Sequence, residues 1–192
     1  MKEFAIKAFD DSAEIKRRFA RDHAARIVQV AQLIGGAFQA GHKVLLFGNG
    51  GSSTDAAHIA AEFVGRYKRE RAPLPAIALA TDIAAITCIA NDYGFEELFA
   101  RQVQAHGQRG DVAIAISTSG NSPNVLKGVE AAKALGLTTI AWTGGTGGKL
   151  AGMVDYAFVV PSTLTARIQE SHITLGHVLC ELIEDHVLAN PA

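Results

Sequence analysis

The stretch KVLLFGNGGSSTD, residues 43–55, decides the fold class of this chain. Its first five residues form an apolar run that a glycine stops, which predicts a short buried strand. A polar, glycine-rich loop and then a helical pattern follow. Similar apolar runs recur along the chain at 76–80, 112–116, 138–142 and 156–160. Because helical patterns lie between most of these runs, we predict an α/β fold in which helices cover both faces of a parallel sheet.

Helices are predicted at both ends of the chain. Residues from about 2 to 40 carry apolar side chains at a spacing of three and four, and Gly41 ends this segment. A long amphipathic helix is predicted at about 165–189. The 192-residue sequence shows no repeat, low-complexity tract or linker, and its length suits one domain. We therefore predict a single domain over 1–192, with residues 1–40 as an N-terminal helical extension.

The composition argues against a general polyanion-binding role and leaves small anionic ligands open. The net charge is −1, and Lys and Arg form no dense block. The short basic run at 66–71 is typical of a solvated helix end, with a nucleic-acid patch as the alternative. Cys88 and Cys180 suit a reducing compartment and give no structural zinc cluster. The sequence has neither a signal-peptide core nor a bilayer-spanning run, so we predict a soluble cytoplasmic protein without nucleic-acid or membrane partners.

Two polar loops follow predicted strands. The first covers 48–55, and the second, STSGNSPN, covers 117–124 after the third strand. Ligands of parallel sheets bind beyond the carboxyl ends of the strands. In the second loop, Ser122 is a good N-cap and Pro123 suits the first helical position. Backbone N–H groups, hydroxyls and a helix N-terminus are what a phosphate needs, so we predict a phosphate cradle at 117–122. The alternative for each loop alone is ordinary turn chemistry.

Two other phosphate motifs do not fit. The first loop has Ser53 where a dinucleotide fingerprint needs its last glycine. The run 147–150 looks like a nucleotide loop, but Thr143 replaces its first glycine and Leu150 its hydroxyl residue. We therefore discard both motifs as nucleotide sites.

Two predicted helices carry side chains suited to holding a metal ion or moving protons. His58 and Glu62 are four residues apart and therefore lie on one face. The C-terminal helix carries four candidates: Gln169, Glu170, His172 and His177. Gln169 and His177 point within about 80° of each other but lie about 12 Å apart along the axis. A set of His, Glu, Gln and His suits a divalent metal, and imidazoles favour zinc.

The alternative for each of these residues is structural. A lone histidine on a helix is usually a capping or core residue, and this is the interpretation for His23, His42, His106 and His186. His172 stays ambiguous because it can turn away from the face that carries Gln169. Glu62 can instead pair with Arg66, which is also four residues away. Spacing alone therefore does not establish catalysis.

Taken in order, the motifs resemble those of the sedoheptulose-7-phosphate isomerases, also called phosphoheptose isomerases, in the sugar-isomerase (SIS) superfamily. The resemblance extends from about residue 40 to 188 and is carried by GNGGS (48–52), AHIAAEF (57–63), GRY (65–67), ANDYG (90–94), ISTSGNS (116–122), and RIQE (167–170) with His177. It implies a three-layer, flavodoxin-like fold with a five-stranded parallel sheet. It also implies a homotetramer with active sites at subunit interfaces, in which the N-terminal helices pack on the core and on neighbouring subunits.

The same resemblance implies an activity. This is the conversion of D-sedoheptulose 7-phosphate to D-glycero-D-manno-heptose 7-phosphate, the first step toward lipopolysaccharide heptose and related nucleotide-activated heptoses. Matched motif by motif, the implied phosphate-binding residues are Ser117, Thr118, Ser119 and Ser122. The other implied substrate contacts are Asn49, Gly50, Gly51, Ser52, Glu62, Arg66, Asn91, Asp92 and Gln169. The implied ligands of one zinc ion per subunit are His58, Glu62, Gln169 and His177.

These residue types suit ketose–aldose isomerisation. The reaction needs a base at one carbon and an acid near the oxygens, both tuned toward neutral pH. A metal ion or a fixed hydrogen-bond donor lowers the cost of the developing oxyanion. We assign Glu62 as the base and His177 as its acid–base partner.

One departure and two alternatives accompany this assignment. Some family members carry an acidic residue three positions before the glutamine, where this chain has Ala166. A non-catalytic relative that binds the replication initiator protein shares the fold, but it carries Arg at the position of Ser119 and an apolar residue at that of Glu62. The retention of both residues here favours the enzyme. A sugar-phosphate sensor with a DNA-binding or kinase domain would need more than 192 residues.

Overall fold

The structure, a computed structural model, describes residues 1–190. These residues form helices and strands in alternation: α1 (Lys2–Gln39), β1 (Val44–Gly48), α2 (Gly51–Val64), β2 (Ala76–Ala78), α3 (Ile83–Tyr93), α4 (Leu98–His106), β3 (Val112–Ser117), α5 (Pro123–Leu135), β4 (Thr138–Gly144), β5 (Tyr156–Val160) and α6 (Thr165–Ala189). Short 3-10 turns lie at Phe95–Glu97 and Leu150–Gly152. The predicted α/β fold, its strands and both terminal helices are confirmed.

All five strands are parallel, in the order β2-β1-β3-β4-β5. This is the flavodoxin-like order that the resemblance implied. The winding reverses between β1 and β3, so the loops that follow these two strands diverge and leave a crevice at the carboxyl edge of the sheet. Strand β2 is shorter than the predicted 76–80. The N–H of Leu79 still donates to the carbonyl oxygen of Leu46 at 2.9 Å, but the chain then turns toward α3.

The strands are apolar throughout because each one faces two buried layers. On β1, Val44 and Leu46 face the layer formed with α1, α2 and α6, whereas Leu45 and Phe47 face the layer formed mainly with α4 and α5. All four side chains are fully buried. The predicted helix–sheet–helix sandwich is therefore confirmed, and helices α2 and α6 lie side by side in one of its outer layers.

The N-terminal extension is one continuous helix that packs along α6. Its first buried residue is Phe19, and before it Phe4 and Phe9 are 78% and 79% exposed. The guanidinium of Arg167 on α6 contacts the N-terminal part of α1, where it donates to the carbonyl oxygen of Ala8 at 2.6 Å. The start of α1 thus presents apolar side chains on its surface. Among residues 1–190, none of the helices combines the length and apolar character that crossing a bilayer requires.

Two helical glycines give a test of this packing. Gly36 in α1 has open space where a Cβ would lie, whereas a Cβ at Gly128 in α5 would lie 2.8 Å from the Phe47 ring and 3.0 Å from Cβ of Phe99. Alanine stabilises a helix relative to glycine by about 0.5–1 kcal/mol, so we expect Gly36→Ala to raise the free energy of unfolding by that amount. We expect Gly128→Ala to lower it by about 1–3 kcal/mol, because both phenylalanines are fully buried. Urea unfolding at one protein concentration measures both changes, and a gain for Gly128→Ala would contradict the tight packing of α5.

Candidate active site

Two asparagines join the loops that follow β1 and β3. The side-chain amide of Asn49 donates to Oδ1 of Asn124 at 2.8 Å, and the amide of Asn124 donates to Oδ1 of Asn49 at 2.9 Å. Asn124 is buried in the first turn of α5. Because each amide both donates and accepts, the pair fixes the two loops relative to each other. The sequence predicted Asn49 in the site but missed Asn124, whose only signal is a polar residue beside the apolar Val125.

The second loop, residues 117–124, carries a cluster of hydroxyl groups, and we call it the serine loop. Oγ of Ser117 lies 3.1 Å from Oγ of Ser122 and 3.5 Å from Oγ of Ser119. Ser122 and Pro123 hold the N-cap and first positions of α5, as predicted, but the Ser122 hydroxyl contacts Ser117 and does not cap the helix. Helix α2 likewise begins after Gly50 without a side-chain cap from the described residues. Two helix N-termini therefore face one crevice, and their partial positive charge favours an anion there.

The glycine-rich run after β4 supports the serine loop. Gly120 has a φ of +64°, and a Cβ there would overlap the carbonyl oxygen of Gly147. The N–H of Gly144 donates to the carbonyl oxygen of Thr118 at 3.1 Å. A cavity of about 860 Å³ opens between this loop and residues 161–165. The run that looked like a nucleotide loop thus packs on the serine loop and shapes it.

Three of the predicted metal ligands meet between α2 and α6. Nε2 of His58 lies 3.2 Å from Oε1 of Glu62 and 3.4 Å from Nε2 of His177. The three ligand atoms all lie within 4.8 Å of one another. A tetrahedral zinc ion with bonds of about 2.0–2.1 Å holds its ligand atoms about 3.3 Å apart. The two short separations therefore fit a zinc site with three protein ligands and an open position. We call His58, Glu62 and His177 the HEH cluster.

The fourth predicted ligand, Gln169, lies at the other end of the two helices. Its side-chain amide packs on Gly51, where a Cβ would lie 2.5 Å from Nε2 of Gln169. Helices α2 and α6 run in the same direction from this contact. With a rise of about 1.5 Å per residue, Glu62 lies about 16 Å from Gly51, and His177 about 12 Å from Gln169, along the helix axes. Within one chain, Gln169 therefore belongs with the loops at the carboxyl edge of the sheet, apart from the HEH cluster.

Three further residues were predicted to contact the substrate: Arg66, Asn91 and Asp92. Within residues 1–190, their hydrogen bonds and ion pairs are formed outside the serine loop and the HEH cluster. The guanidinium of Arg66 lies 3.8 Å from the carboxylate of Glu70, while Glu62 pairs with a histidine, so the alternative Glu62–Arg66 pair is wrong. Asn91 and Asp92 end α3 on an exposed surface and bond to each other at 2.7 Å. Asn91 and Asp92 form no hydrogen bond with the serine loop of the same chain in the described residues.

His172, which was ambiguous from the sequence, belongs to the core. Its side chain is fully buried, and its Nε2–H donates to the carbonyl oxygen of Thr143 at 3.2 Å. Burial lowers the pKa of His172 to about 4, against the opposing effect of that hydrogen bond, so the ring is neutral at physiological pH. Ala166 is exposed in the first turn of α6.

Comparisons with known proteins show the family to which the chain belongs. Residues 9–144 match the family model described as the SIS domain. The chain is 59% identical to the phosphoheptose isomerase of Aquifex aeolicus, over 97% of this chain and 98% of that one. It is 57% identical to the phosphoheptose isomerase of Thermodesulfovibrio yellowstonii, over 97% and 92%. The solved phosphoheptose isomerase of Neisseria gonorrhoeae is 43% identical, with a TM-score of 0.91 over 96% of this chain and 98% of that one.

This chain belongs to the phosphoheptose isomerase family. It is an isomerase, and sugar phosphates are its substrate class. The recognition of the family from ordered motifs is thereby confirmed.

The isomerase contains a buried ion pair that the sequence did not reveal. Nε of Arg71 lies 3.1 Å from Oε1 of Glu184, and both side chains are 2% exposed. The guanidinium also donates to the carbonyl oxygens of Glu62 and Phe63, both at 2.8 Å. The Glu184 carboxylate accepts three backbone N–H bonds of 2.7–3.1 Å, from Tyr67, Lys68 and Arg69. The pair therefore ties the end of α2, which carries Glu62, to α6.

This pair predicts how stability depends on pH. Burial tends to raise the pKa of Glu184, but the backbone N–H bonds and Arg71 outweigh it, so the pKa lies below its ordinary value. We expect Glu184→Gln to cost about 3–5 kcal/mol at neutral pH, because Arg71 loses its charge partner. The wild type exceeds Glu184→Gln in free energy of unfolding by the full amount above the ordinary glutamate pKa. This difference shrinks as the pH falls through the lowered pKa of folded Glu184.

Urea unfolding of both proteins across acidic pH measures this difference. The matched control is Glu181→Gln, because Glu181 forms a largely exposed pair with Lys68 at 2.9 Å. Loss of such an exposed pair costs less than about 1 kcal/mol. Equal losses for the two variants would show that the buried pair has no special role.

Proposed function

We propose that this isomerase converts D-sedoheptulose 7-phosphate to D-glycero-D-manno-heptose 7-phosphate through an enediol, the first step of ADP- and GDP-heptose biosynthesis and of lipopolysaccharide heptose supply. The activity in the names of relatives at 57–59% identity supports this substrate. The observation that carries the proposal is the HEH cluster, which combines a carboxylate base and an imidazole acid in one accessible place. We also propose that the enzyme acts in the cytoplasm, where sugar phosphates are made and consumed.

The serine loop binds the phosphate of the substrate in this proposal. Ser117, Ser119 and Ser122 present their hydroxyls together, and the N-termini of α2 and α5 add backbone N–H groups. These donors bind a phosphate with little positive charge of their own. The turn at 49–52 contacts the sugar beside the phosphate. Phosphate binding far from the reacting carbons orients the substrate for proton transfer.

The HEH cluster performs the proton transfer. Glu62 removes the proton from the carbon beside the carbonyl, and His177 exchanges a proton with the substrate oxygens. A carboxylate bound to zinc is a poorer base, so in this proposal Glu62 binds the metal and transfers the proton in different states. The cluster also suits zinc, by the ligand separations given above and by its nitrogen and oxygen donors. When bound there, a zinc ion would polarise the substrate oxygens and lower the cost of the enediolate. His58 holds Glu62 at 3.2 Å and fixes the direction of its carboxylate.

The active site is completed by a second subunit in this proposal. Glu62 lies about 16 Å along α2 from the phosphate loops, farther than a heptose chain extends from its phosphate to its reacting carbons. We therefore propose that the serine loop of one subunit faces the HEH cluster of another in a homotetramer. Gln169 then reaches the zinc ligands across that interface. Exposed apolar side chains support such an assembly, since they cluster on α1 and near α3 at Phe4, Phe9, Ile83, Tyr93 and Phe95.

The first test is the isomerase assay itself. Purified protein should convert sedoheptulose 7-phosphate to an aldose phosphate, and Glu62→Gln should lower kcat by about 1,000-fold or more, because the base is lost. Phosphate binding and thermal stability should stay close to wild type in that variant. Wild-type protein without turnover, with or without added zinc, would favour the regulator that binds the replication initiator. An active Glu62→Gln variant would show that another group is the base.

The second test asks whether one subunit or two form the site. Glu62→Gln removes the base, and the double variant Ser117→Ala/Ser122→Ala removes two phosphate hydroxyls, which should lower kcat/KM by about 100-fold or more. If sites are shared, co-expression of the two inactive chains should restore up to about one quarter of wild-type activity, since that fraction of sites combines intact halves. Activity no higher than the sum of the two variants would place each site within one chain.

A further inference from the structure

The ring of Tyr67 lies against the imidazole of His177. Their centroids are 5.6 Å apart and their planes differ by 18°, which is a stacked arrangement. The ring of His58 meets the same imidazole edge-on, with centroids 5.1 Å apart and planes at 70°. His177 is therefore held between the face of one ring and the edge of another. Tyr67 is not one of the ligands of the HEH cluster.

The backbone around Tyr67 is fixed independently of the HEH cluster. Its own N–H donates to Oε1 of Glu184 at 2.7 Å. The following residue, Lys68, donates its backbone N–H to Oε2 of Glu184 at 2.9 Å, and its ammonium bonds to Glu181, also at 2.9 Å. Both acceptors lie on α6, downstream of His177. The loop that carries Tyr67 is thus attached to the same helix as the imidazole that its ring contacts.

We propose that Tyr67 is a positioning residue for His177, and that the Arg71–Glu184 pair holds it in place. The inference rests on the proposed function of the HEH cluster. The χ2 angle of histidine is broad, so a partly exposed imidazole does not keep one plane unaided. The stacked ring restricts that plane and keeps Nε2 of His177 aimed at His58, 3.4 Å away. A flat ring is what this role requires, and the phenol hydroxyl is not part of it.

The test compares three variants of the full-length protein. Tyr67→Phe keeps the ring, Tyr67→Leu removes it, and Tyr156→Leu removes a tyrosine ring on β5, outside the HEH cluster. Zinc affinity is measured by competition with a chelating dye, and kcat and KM by the isomerase assay. Groups that orient metal ligands typically change metal affinity or activity by about 10- to 100-fold when lost, and we expect Tyr67→Leu to lower both zinc affinity and kcat within that range. Its KM should stay within about twofold, because a ring that acts only through His177 leaves substrate binding unchanged.

Tyr67→Phe should match wild type in both measurements, and Tyr156→Leu should keep wild-type zinc affinity. Unchanged zinc affinity and kcat in Tyr67→Leu would overturn the proposal, and so would an equal loss in Tyr67→Phe. Arg71→Lys keeps the positive charge but loses the hydrogen bonds of the planar guanidinium to Glu184 and to the end of α2. It should therefore lower zinc affinity, as Tyr67→Leu does. If the wild type binds zinc but has no isomerase activity, a selective loss of zinc affinity in Tyr67→Leu would still support the role of the ring, while the proposed function would fail.

Discussion

The parallel pairing of β1 with β3 is the constraint on which the rest of this structure depends. It brings the ends of the two strands to one edge while the connections leave in opposite directions. Both following loops then meet at a single crevice, where Asn49 and Asn124 join them through reciprocal amide hydrogen bonds. The anion site that we propose therefore needs both loops. Their backbone N–H groups and hydroxyls converge because β1 and β3 are adjacent and parallel, so their carboxyl ends lie side by side.

A second constraint follows from the direction of α2 and α6. Both helices start at the carboxyl edge of the sheet and run away from it side by side, so positions early in each helix face the crevice and later positions do not. Gln169 therefore packs on Gly51, while His177 meets His58 farther along. The chain separates groups suited to phosphate from groups suited to proton transfer. That separation is why subunit assembly is part of the proposed chemistry.

The sequence predicted most of the fold, because buried parallel strands are continuous apolar runs bounded by glycine. The predicted end of β2 was wrong, because the chain stays apolar at Leu79 after the strand has ended. Spacing along α2 predicted that His58 and Glu62 share a face, the predicted C-terminal helix offered His177 as one of four candidates, and the resemblance selected it. Asn124 and Tyr67 were missed, and Arg71 was wrongly predicted to belong to a solvated helix end, because their partners lie far away in sequence. Glu184 comes 113 residues after Arg71, and no local pattern links the two.

The Arg71–Glu184 pair matters for geometry as well as for stability. A buried ion pair gains little net free energy over apolar residues of the same size, because both charges lose their hydration. Here the pair also bonds to two carbonyl oxygens at the end of α2 and to three successive N–H groups of the loop that follows. Apolar side chains would leave all five groups without these partners. Its contribution is therefore a fixed alignment of α2, the loop and α6, and that alignment is what brings Glu62 and Tyr67 to His177.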